Sequence, residues 1–197
     1  TRSSDGWYRN SSGVVTLAGT NVARFDYRWS GSAWVLAGLL VEPAATNAYK
    51  YSQDATNAAW TKQQCTCPAA DTIVESLDVA AQIHVIRQNY AYVAGQPFCL
   101  SVVAWELGGS AKRYCTLSVP SGVFATTGNQ LAKFDLATGT VIITAGGNLT
   151  AGIEPAGPGK WRCWIVGTAT ATTSTSASIG PHAQNNSFAS YIGDGAS

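Results

Sequence analysis

The chain has 197 residues, of which 46% are hydrophobic, and this is enough to bury a sizeable core in one main domain. Only 12% of the residues are charged and the formal net charge is +1, which argues against the basic stripe of a nucleic-acid-binding protein. No run of 18 apolar residues occurs, so the sequence also argues against membrane insertion.

Residues 1–23 are rich in Ser, Gly and Asn, with scattered aromatic side chains. Only Gly13 to Leu17 has the composition of a brief strand, so the segment has little capacity to fold alone. The first six residues are polar and lack the apolar centre of a signal peptide. We therefore predict that residues 1–23 form an extended N-terminal arm lying on a neighbour or on the domain's own surface.

Residues 24–71 form a second segment, which we expect to pack on the main domain. Ser30-Gly31-Ser32 separates two aromatic runs and predicts a hairpin connection. The apolar run that starts at Gly38 and ends at Glu42-Pro43 is typical of a short buried strand, with a turn from Pro43 to Asn47. Gln53 to Trp60 carries enough Ala and Asn to predict one helical turn.

From Thr72 onwards the pattern is one of repeated short strands with β-branched or aromatic content and turn residues at their ends. The predicted strands are 73–77, 81–92, 98–107, 113–119, 130–135, 140–144, 152–155, 160–170 and 175–179. Gly, Pro and Asn in the connections favour tight turns. Short strands in this number, without helices, predict an all-β fold of two packed sheets over residues 72–197.

Two ordered groups of motifs run through the chain. The first comprises Arg24-Phe25-Asp26-Tyr27, Gly38 to Glu42, Thr46-Asn47, Tyr51-Ser52 and Asn57 to Lys62; the second comprises Phe134 to Val141, Ile153-Glu154-Pro155 and Gly159 to Cys163. Together they resemble a segment of phage tail and virion structural proteins. The resemblance implies a jelly-roll β-sandwich similar to carbohydrate-binding modules. Such jelly rolls close with a further strand after a Gly-Asp-Gly turn, whereas this chain stops at Gly193 to Ser197. We expect either that the sequence is truncated or that an adjacent segment or subunit completes the sheet.

The five cysteines are Cys65, Cys67, Cys99, Cys115 and Cys163. Their number is odd, and a zinc site would need further ligands when the only histidines are His84 and His182. Buried free thiols are the favoured interpretation, because Cys behaves as a small apolar residue in cores. We predict no metal and no cofactor.

Catalytic groups are sparse. Nucleophilic catalysis needs a base beside Ser or Cys, and both histidines are interpreted as structural or surface residues. A glycosidase would need two adjacent carboxyl groups, but the acids are scattered singly. Asp26 and Asp135 are predicted to cap turns, and Glu42 to pair with Arg24. We therefore predict that the chain is not an enzyme.

Aromatic side chains are the plausible route to ligand binding, because sugar rings stack on Trp and Tyr. The candidate glycan-binding residues are Tyr90, Tyr92 and Tyr114, whereas Trp105 and Trp161 lie in apolar strands and are expected in the core.

With the resemblance, these features lead to one main hypothesis and two alternatives. The main hypothesis is a virion structural protein, a tail fibre or tail component, assembled in the bacterial cytoplasm. Its expected partners are other virion proteins, copies of itself in a homotrimer, and a host-surface glycan. The alternatives are a capsid decoration or head-fibre protein, and a carbohydrate-binding module of a larger protein.

Overall fold

The computed structural model describes residues 6–40, 47–78, 80–107, 114–125, 127–128, 130–146, 148–182 and 190–195. Within these residues the chain is built from β-strands, with one 3₁₀ helix at Ser121–Val123 and no α-helix, which confirms the all-β prediction. No helix in these ranges is long and apolar enough to cross a bilayer. The strands are β1 (Gly6–Arg9), β2 (Val15–Ala18), β3 (Phe25–Trp29), β4 (Trp34–Leu39), β5 (Thr61–Gln63), β6 (Cys65–Ala69), β7 (Thr72–Glu75), β8 (Val85–Tyr92), β9 (Pro97–Ala104), β10 (Tyr114–Val119), β11 (Gln130–Asp135), β12 (Thr140–Ala145), β13 (Leu149–Gly157), β14 (Lys160–Thr168) and β15 (Thr173–His182).

Two sheets form the main body. The larger has six antiparallel strands in the order β12-β11-β10-β15-β8-β5, and the smaller has three in the order β13-β14-β9. All nine strands predicted between residues 73 and 179 are present, with bounds shifted by a few residues. The two-sheet arrangement is that of a β-sandwich.

The main core lies between the two sheets, where alternate side chains of the strands point from the two inner faces towards each other. Leu117 and Phe134 of the large sheet and Cys163 and Ile165 of the small sheet have no exposed surface. Trp161 packs against this cluster, and its indole Nε1 donates a hydrogen bond to the Leu136 carbonyl oxygen at 2.7 Å. The predicted core position of Trp161 is therefore confirmed.

The N-terminal region differs from the predicted extended arm. β1 and β2 form an antiparallel hairpin, and β3 and β4 form a second hairpin across the Ser30–Ala33 connection, as predicted for the latter. The Asp26 carboxylate accepts a hydrogen bond from the Arg9 backbone N–H at 3.2 Å, so Asp26 links the two hairpins instead of capping a turn. Polar residues in the sequence concealed the hairpin, whose strands are only four residues long.

The predicted buried strand at Gly38 to Glu42 is wrong in burial. Residues up to Leu39 belong to β4, and Val35, Leu36 and Leu39 are all exposed. An apolar run does not reveal by itself whether another layer covers it. Residues 41–46, which include the predicted Glu42 partner of Arg24 and most of the predicted turn, lie outside the described residues.

Residues 51–60 form a series of turns instead of the predicted helical turn. The Asp54 and Asn57 side chains accept hydrogen bonds from the backbone N–H groups of Thr56 and Ala59, respectively, two residues further on. Such local bonds compete with helix formation. The segment ends at the buried Trp60, which stacks on Tyr49 with ring centroids 5.9 Å apart.

Candidate binding surfaces

The three tyrosines predicted to bind glycan do not share a surface. Tyr90 and Tyr92 lie on the inner side of β8, and Tyr92 is buried against Phe98 with ring centroids 5.3 Å apart. Burial raises the pKa of the Tyr92 phenol. Tyr114 lies on β10, two strands away from β8 in the large sheet, and is also buried. The period of two along β8 turns Tyr90 and Tyr92 towards the core, where a sugar ring cannot stack on them.

Tyr114 lines a small cleft at one end of the sandwich, which we call the edge cleft. Its volume is about 120 Å³, and its apolar lining includes Ile73, Val102, Ala104, Trp105, Leu136 and Ile179. Asp71 and Glu106 add carboxyl groups. Since ligand pockets usually measure about 300–1,000 Å³, this space suits one side chain rather than an oligosaccharide.

Trp105 of the edge cleft is half-buried, and the Lys160 ammonium lies 3.9 Å from the centroid of its ring. One face of the indole therefore makes a cation–π contact. The cleft borders β9, which is the outer strand of the small sheet. In the described part of the chain no strand pairs with the second edge of β9.

A buried polar cluster surrounds His84. Its Nδ1 lies 2.7 Å from the Gln64 carbonyl oxygen, and its Nε2 lies 3.3 Å from the Tyr191 carbonyl oxygen. The Asp78 Oδ2 atom is 3.2 Å from Nε2, but its direction is not that of a hydrogen bond. Both ring nitrogens thus face protein oxygens, which is a structural arrangement for a histidine.

Glu75 belongs to the same region and is almost completely buried. Its Oε2 accepts a hydrogen bond from the Tyr191 hydroxyl at 2.6 Å, and its Oε1 accepts one from the Asp194 backbone N–H at 2.6 Å. Burial and the hydrogen bond to Glu75 raise the pKa of the Tyr191 phenol. The carboxylate therefore fastens residues 191–194 to the β6–β7 hairpin and has both oxygens engaged.

His182 lies at the end of β15 and is buried as well. Its Nδ1 is 3.2 Å from the Lys133 Nζ, and its ring centroid is 4.7 Å from that of Tyr191. Burial lowers the pKa of Lys133 to about 8.

Asp135, on the same strand as Lys133, accepts hydrogen bonds from the backbone N–H groups of Ala137 and Thr138 at 2.9 and 3.3 Å, which confirms its predicted turn-capping role.

All five cysteines are free thiols. Cys65, Cys115 and Cys163 are buried as predicted, whereas Cys67 is half-buried and Cys99 is exposed. Cys99 differs because its neighbour Leu100 takes the inward position on β9. A hydrogen bond to Cys115 and burial raise the pKa of Cys163. No group of three or more His, Cys, Asp or Glu in the described ranges is arranged to hold a metal ion.

Trp164 offers an aromatic surface that the sequence analysis did not single out. It alternates with the inward-facing Cys163 and Ile165, so it lies on the outer face of the small sheet, and it pairs with Ser101 and Gly152 on the neighbouring strands. A Cβ atom at Gly152 would collide with the indole ring, so the ring lies against the bare backbone there. In the sequence, Trp164 follows Trp161 by three residues, so the two side chains point to opposite faces of a strand. The residue paired with Trp164 is Gly152.

The two N-terminal hairpins expose cross-strand pairs of large apolar side chains. Trp7 pairs with Leu17, and Phe25 pairs with Leu39, with exposed fractions of 58, 48, 49 and 57% in that order. Leu36 is 58% exposed on the same strand as Leu39. We call these five residues the apolar hairpin surface. Cross-strand pairs of exposed apolar side chains are typical of interaction sites.

Comparison with known proteins does not add a relative, since no family model matches the chain and no curated protein is significantly similar to it.

Proposed function

We propose that the chain is a non-enzymatic structural protein of a bacteriophage virion, a tail fibre or tail component whose sandwich is a jelly roll. The motif series from Arg24 to Lys62 and from Phe134 to Cys163 supports the virion class through its resemblance to tail and virion proteins. The five free thiols are compatible with assembly in the reducing bacterial cytoplasm. The observation that carries the proposal is the apolar hairpin surface.

The apolar hairpin surface suits assembly because water-exposed apolar area is costly. Removing such area from water stabilises an interface by about 25 cal/mol per Å². The second edge of β9 offers a further contact through backbone groups. We infer that copies of the chain cover these surfaces in a homotrimer, with other virion proteins as further partners; closed symmetry is the usual outcome for identical subunits.

The oligomer can be tested by light scattering on the purified chain at micromolar concentration. We expect a trimer for the wild type and dissociation to monomers for Phe25→Asp combined with Leu39→Asp, because two charges then enter the interface. Thr150→Asp, on the outer face of the small sheet, is the matched control and should remain trimeric. A stable wild-type monomer would refute the oligomer, and a dimer or pentamer would refute the trimer.

The virion location needs a separate experiment. Gold-labelled antibodies raised against the chain should mark the tails of phage particles whose genome encodes it. Labelling of the capsid would favour the alternative of a decoration or head-fibre protein. Particles that bind no antibody would contradict both the tail location and the capsid location.

A second candidate function is attachment to a host-surface glycan, either in the virion or as a module of a larger protein. Trp164 favours it, because one face of the ring lies against Gly152 and the residue is partly exposed. Stacking on an aromatic ring contributes about 0.5–1.5 kcal/mol beyond the area it buries. On glycan arrays, Trp164→Ala should weaken binding about threefold to tenfold. Tyr51→Ala, at an exposed aromatic residue outside the apolar hairpin surface, is the matched control, and equal binding by both variants would contradict the role of Trp164.

A further inference from the structure

A polar groove lies beside β8, at the point where its pairing with β5 ends. Thr61 is the first residue of β5 and pairs with Arg87, whereas β8 continues to Tyr92. The groove measures about 640 Å³, and its lining includes Lys50, Thr61, Arg87, Gln88, Asn89 and Ser176. We call it the polar groove.

The sheet register places donors side by side in the polar groove. Asn89 pairs with Ser176 of β15. It lies two residues along β8 from Arg87, which pairs with Thr61. Neighbouring strands are about 4.8 Å apart, so these side chains span about 10 Å across three strands. This width matches one sugar ring or one phosphate group with its ester.

The charges in the polar groove are both positive. Lys50 and Arg87 line it, and none of the described Asp or Glu residues does. Among the described residues Arg162 forms an ion pair with Glu154, whereas neither groove cation has a carboxylate partner in that part of the chain. Arg87 is partly buried, and a partly desolvated guanidinium forms its strongest contacts with an oxyanion, which it can bind through two parallel N–H groups.

The segment that carries Lys50 in the groove lining is held in place by contacts within the protein. Its carbonyl oxygen accepts a hydrogen bond from the side-chain Nε2 of the buried Gln88 at 2.8 Å. The adjacent Tyr49 stacks on Trp60, whose indole Nε1 donates to the Tyr51 carbonyl oxygen at 3.0 Å. A fixed wall reduces the ordering cost of binding.

We propose that the polar groove binds an oxyanion carried by a polar molecule, namely the carboxylate of an acidic sugar or a phosphate monoester. Arg87 and Lys50 neutralise the anion, while Asn89, Thr61 and Ser176 hydrogen-bond to hydroxyl groups around it. No aromatic ring in the described part of the chain lines the groove, so recognition depends on charge and hydrogen bonds. This site is independent of Trp164 and of the virion role.

Titration calorimetry and amide chemical shifts test the site, with D-glucuronate and glycerol 1-phosphate as probes and glucose and glycerol as neutral counterparts. We expect an acidic probe to bind with millimolar or better affinity, to shift amides of residues 87–89, and to bind less tightly as salt rises. The neutral counterparts should bind at least tenfold more weakly. The tighter of the two acidic probes identifies the source of the anion.

Variants separate the site from adsorption to any basic surface. Arg87→Gln and Lys50→Gln should each weaken binding about tenfold, because each removes a charge-assisted contact. Arg162→Gln, on the other sheet and paired with Glu154, is the matched control and should bind like the wild type. Lys50 is exposed, so its variant keeps the fold if Arg87→Gln does not. Equal binding of charged and neutral probes, wild-type affinity in the Lys50 variant, or no binding at millimolar concentration would each overturn the proposal.

Discussion

Lys133 of β11 is fully buried, and its amino group lies near the rings of Tyr114 and His182. Burial disfavours the charged form and lowers the pKa to about 8 from an ordinary value of 10.5. Above about pH 8 the folded chain releases this proton, while the unfolded chain retains it up to about pH 10.5. Since the unfolded state binds more protons in this window, Lys133 makes the unfolding free energy rise with pH there.

This pH dependence can be isolated by comparing the wild type with Lys133→Met. From about pH 8 to about pH 10.5 the wild type should gain about 1–3 kcal/mol relative to the variant. The comparison is needed because Cys65, whose pKa burial raises to about 11, contributes the opposite slope in both proteins. Urea unfolding at several pH values measures the difference. A difference that does not change with pH would contradict a lowered pKa for Lys133.

Thiol reactivity should follow the burial of the five cysteines. Cys99 is exposed and lies near Arg162, which lowers its pKa and partly offsets the increase caused by burial. Cys65, Cys115 and Cys163 are buried, and reaction requires an accessible thiolate. Ellman's reagent at mildly alkaline pH should therefore label Cys99 fastest, and Cys99→Ser should abolish the fast phase. Rapid labelling that survives this substitution would contradict the assignment.

At the scale of elements, the Glu75 carboxylate adds two hydrogen bonds to the backbone bonds that attach residues 191–194 to residues 78–82. Tyr191→Phe removes the hydroxyl that donates to the buried Glu75, at a cost of about 1–3 kcal/mol. We expect the Asp194 amide, which also donates to Glu75, to exchange its hydrogen faster. Unfolding and hydrogen exchange measure the two effects. Tyr51→Phe, at an exposed position, is the control, and equal stability of the two variants would contradict the role of Glu75.

The strands of the sandwich could be predicted because Gly, Pro and Asn interrupt short β-branched runs at nearly every turn. β11 was predicted to the residue, Gln130–Asp135, since an Asp-containing turn with Gly139 at φ +67° follows it. Burial could not be predicted in the same way. The apolar β4 is exposed because no layer covers it in the described part of the chain, and the Asp54 and Asn57 bonds replace a helix with turns.

The binding surfaces were harder to predict than the strands because they depend on which strands become neighbours. Tyr90 and Tyr92 are candidates for sugar binding because they are aromatic, but they occupy positions of β8 whose side chains point into the core. Trp164 of β14 lies on the outer face of its sheet, and only the strand register shows that it is paired with Gly152. Arg87 and Lys50 are 37 residues apart in sequence and meet only after β8 docks beside residues 48–50.

At the scale of the whole molecule, we expect no hydrolytic activity on polysaccharides. The two ring nitrogens of His84 face main-chain oxygens, and both Glu75 oxygens accept hydrogen bonds within the fold. Neither group is free to transfer a proton to a glycosidic bond. Reducing-sugar assays with purified protein and host polysaccharide test this. Release of sugar that disappears on substitution of an Asp or Glu would show that a catalytic pair exists.

The position of β15 has a consequence for how the chain folds during synthesis. This strand lies between β10 and β8 in the middle of the large sheet, although it follows every other strand of that sheet in the sequence. Until residues 173–182 leave the ribosome, β10-β11-β12 and β5-β8 remain two partial sheets with adjacent open edges. Pairings this distant in sequence form slowly, and the nascent chain meanwhile presents strands that other chains can join. Among the described strands of the large sheet, β15 is made last and therefore closes the sheet, and the interval before its release is when aggregation competes with folding.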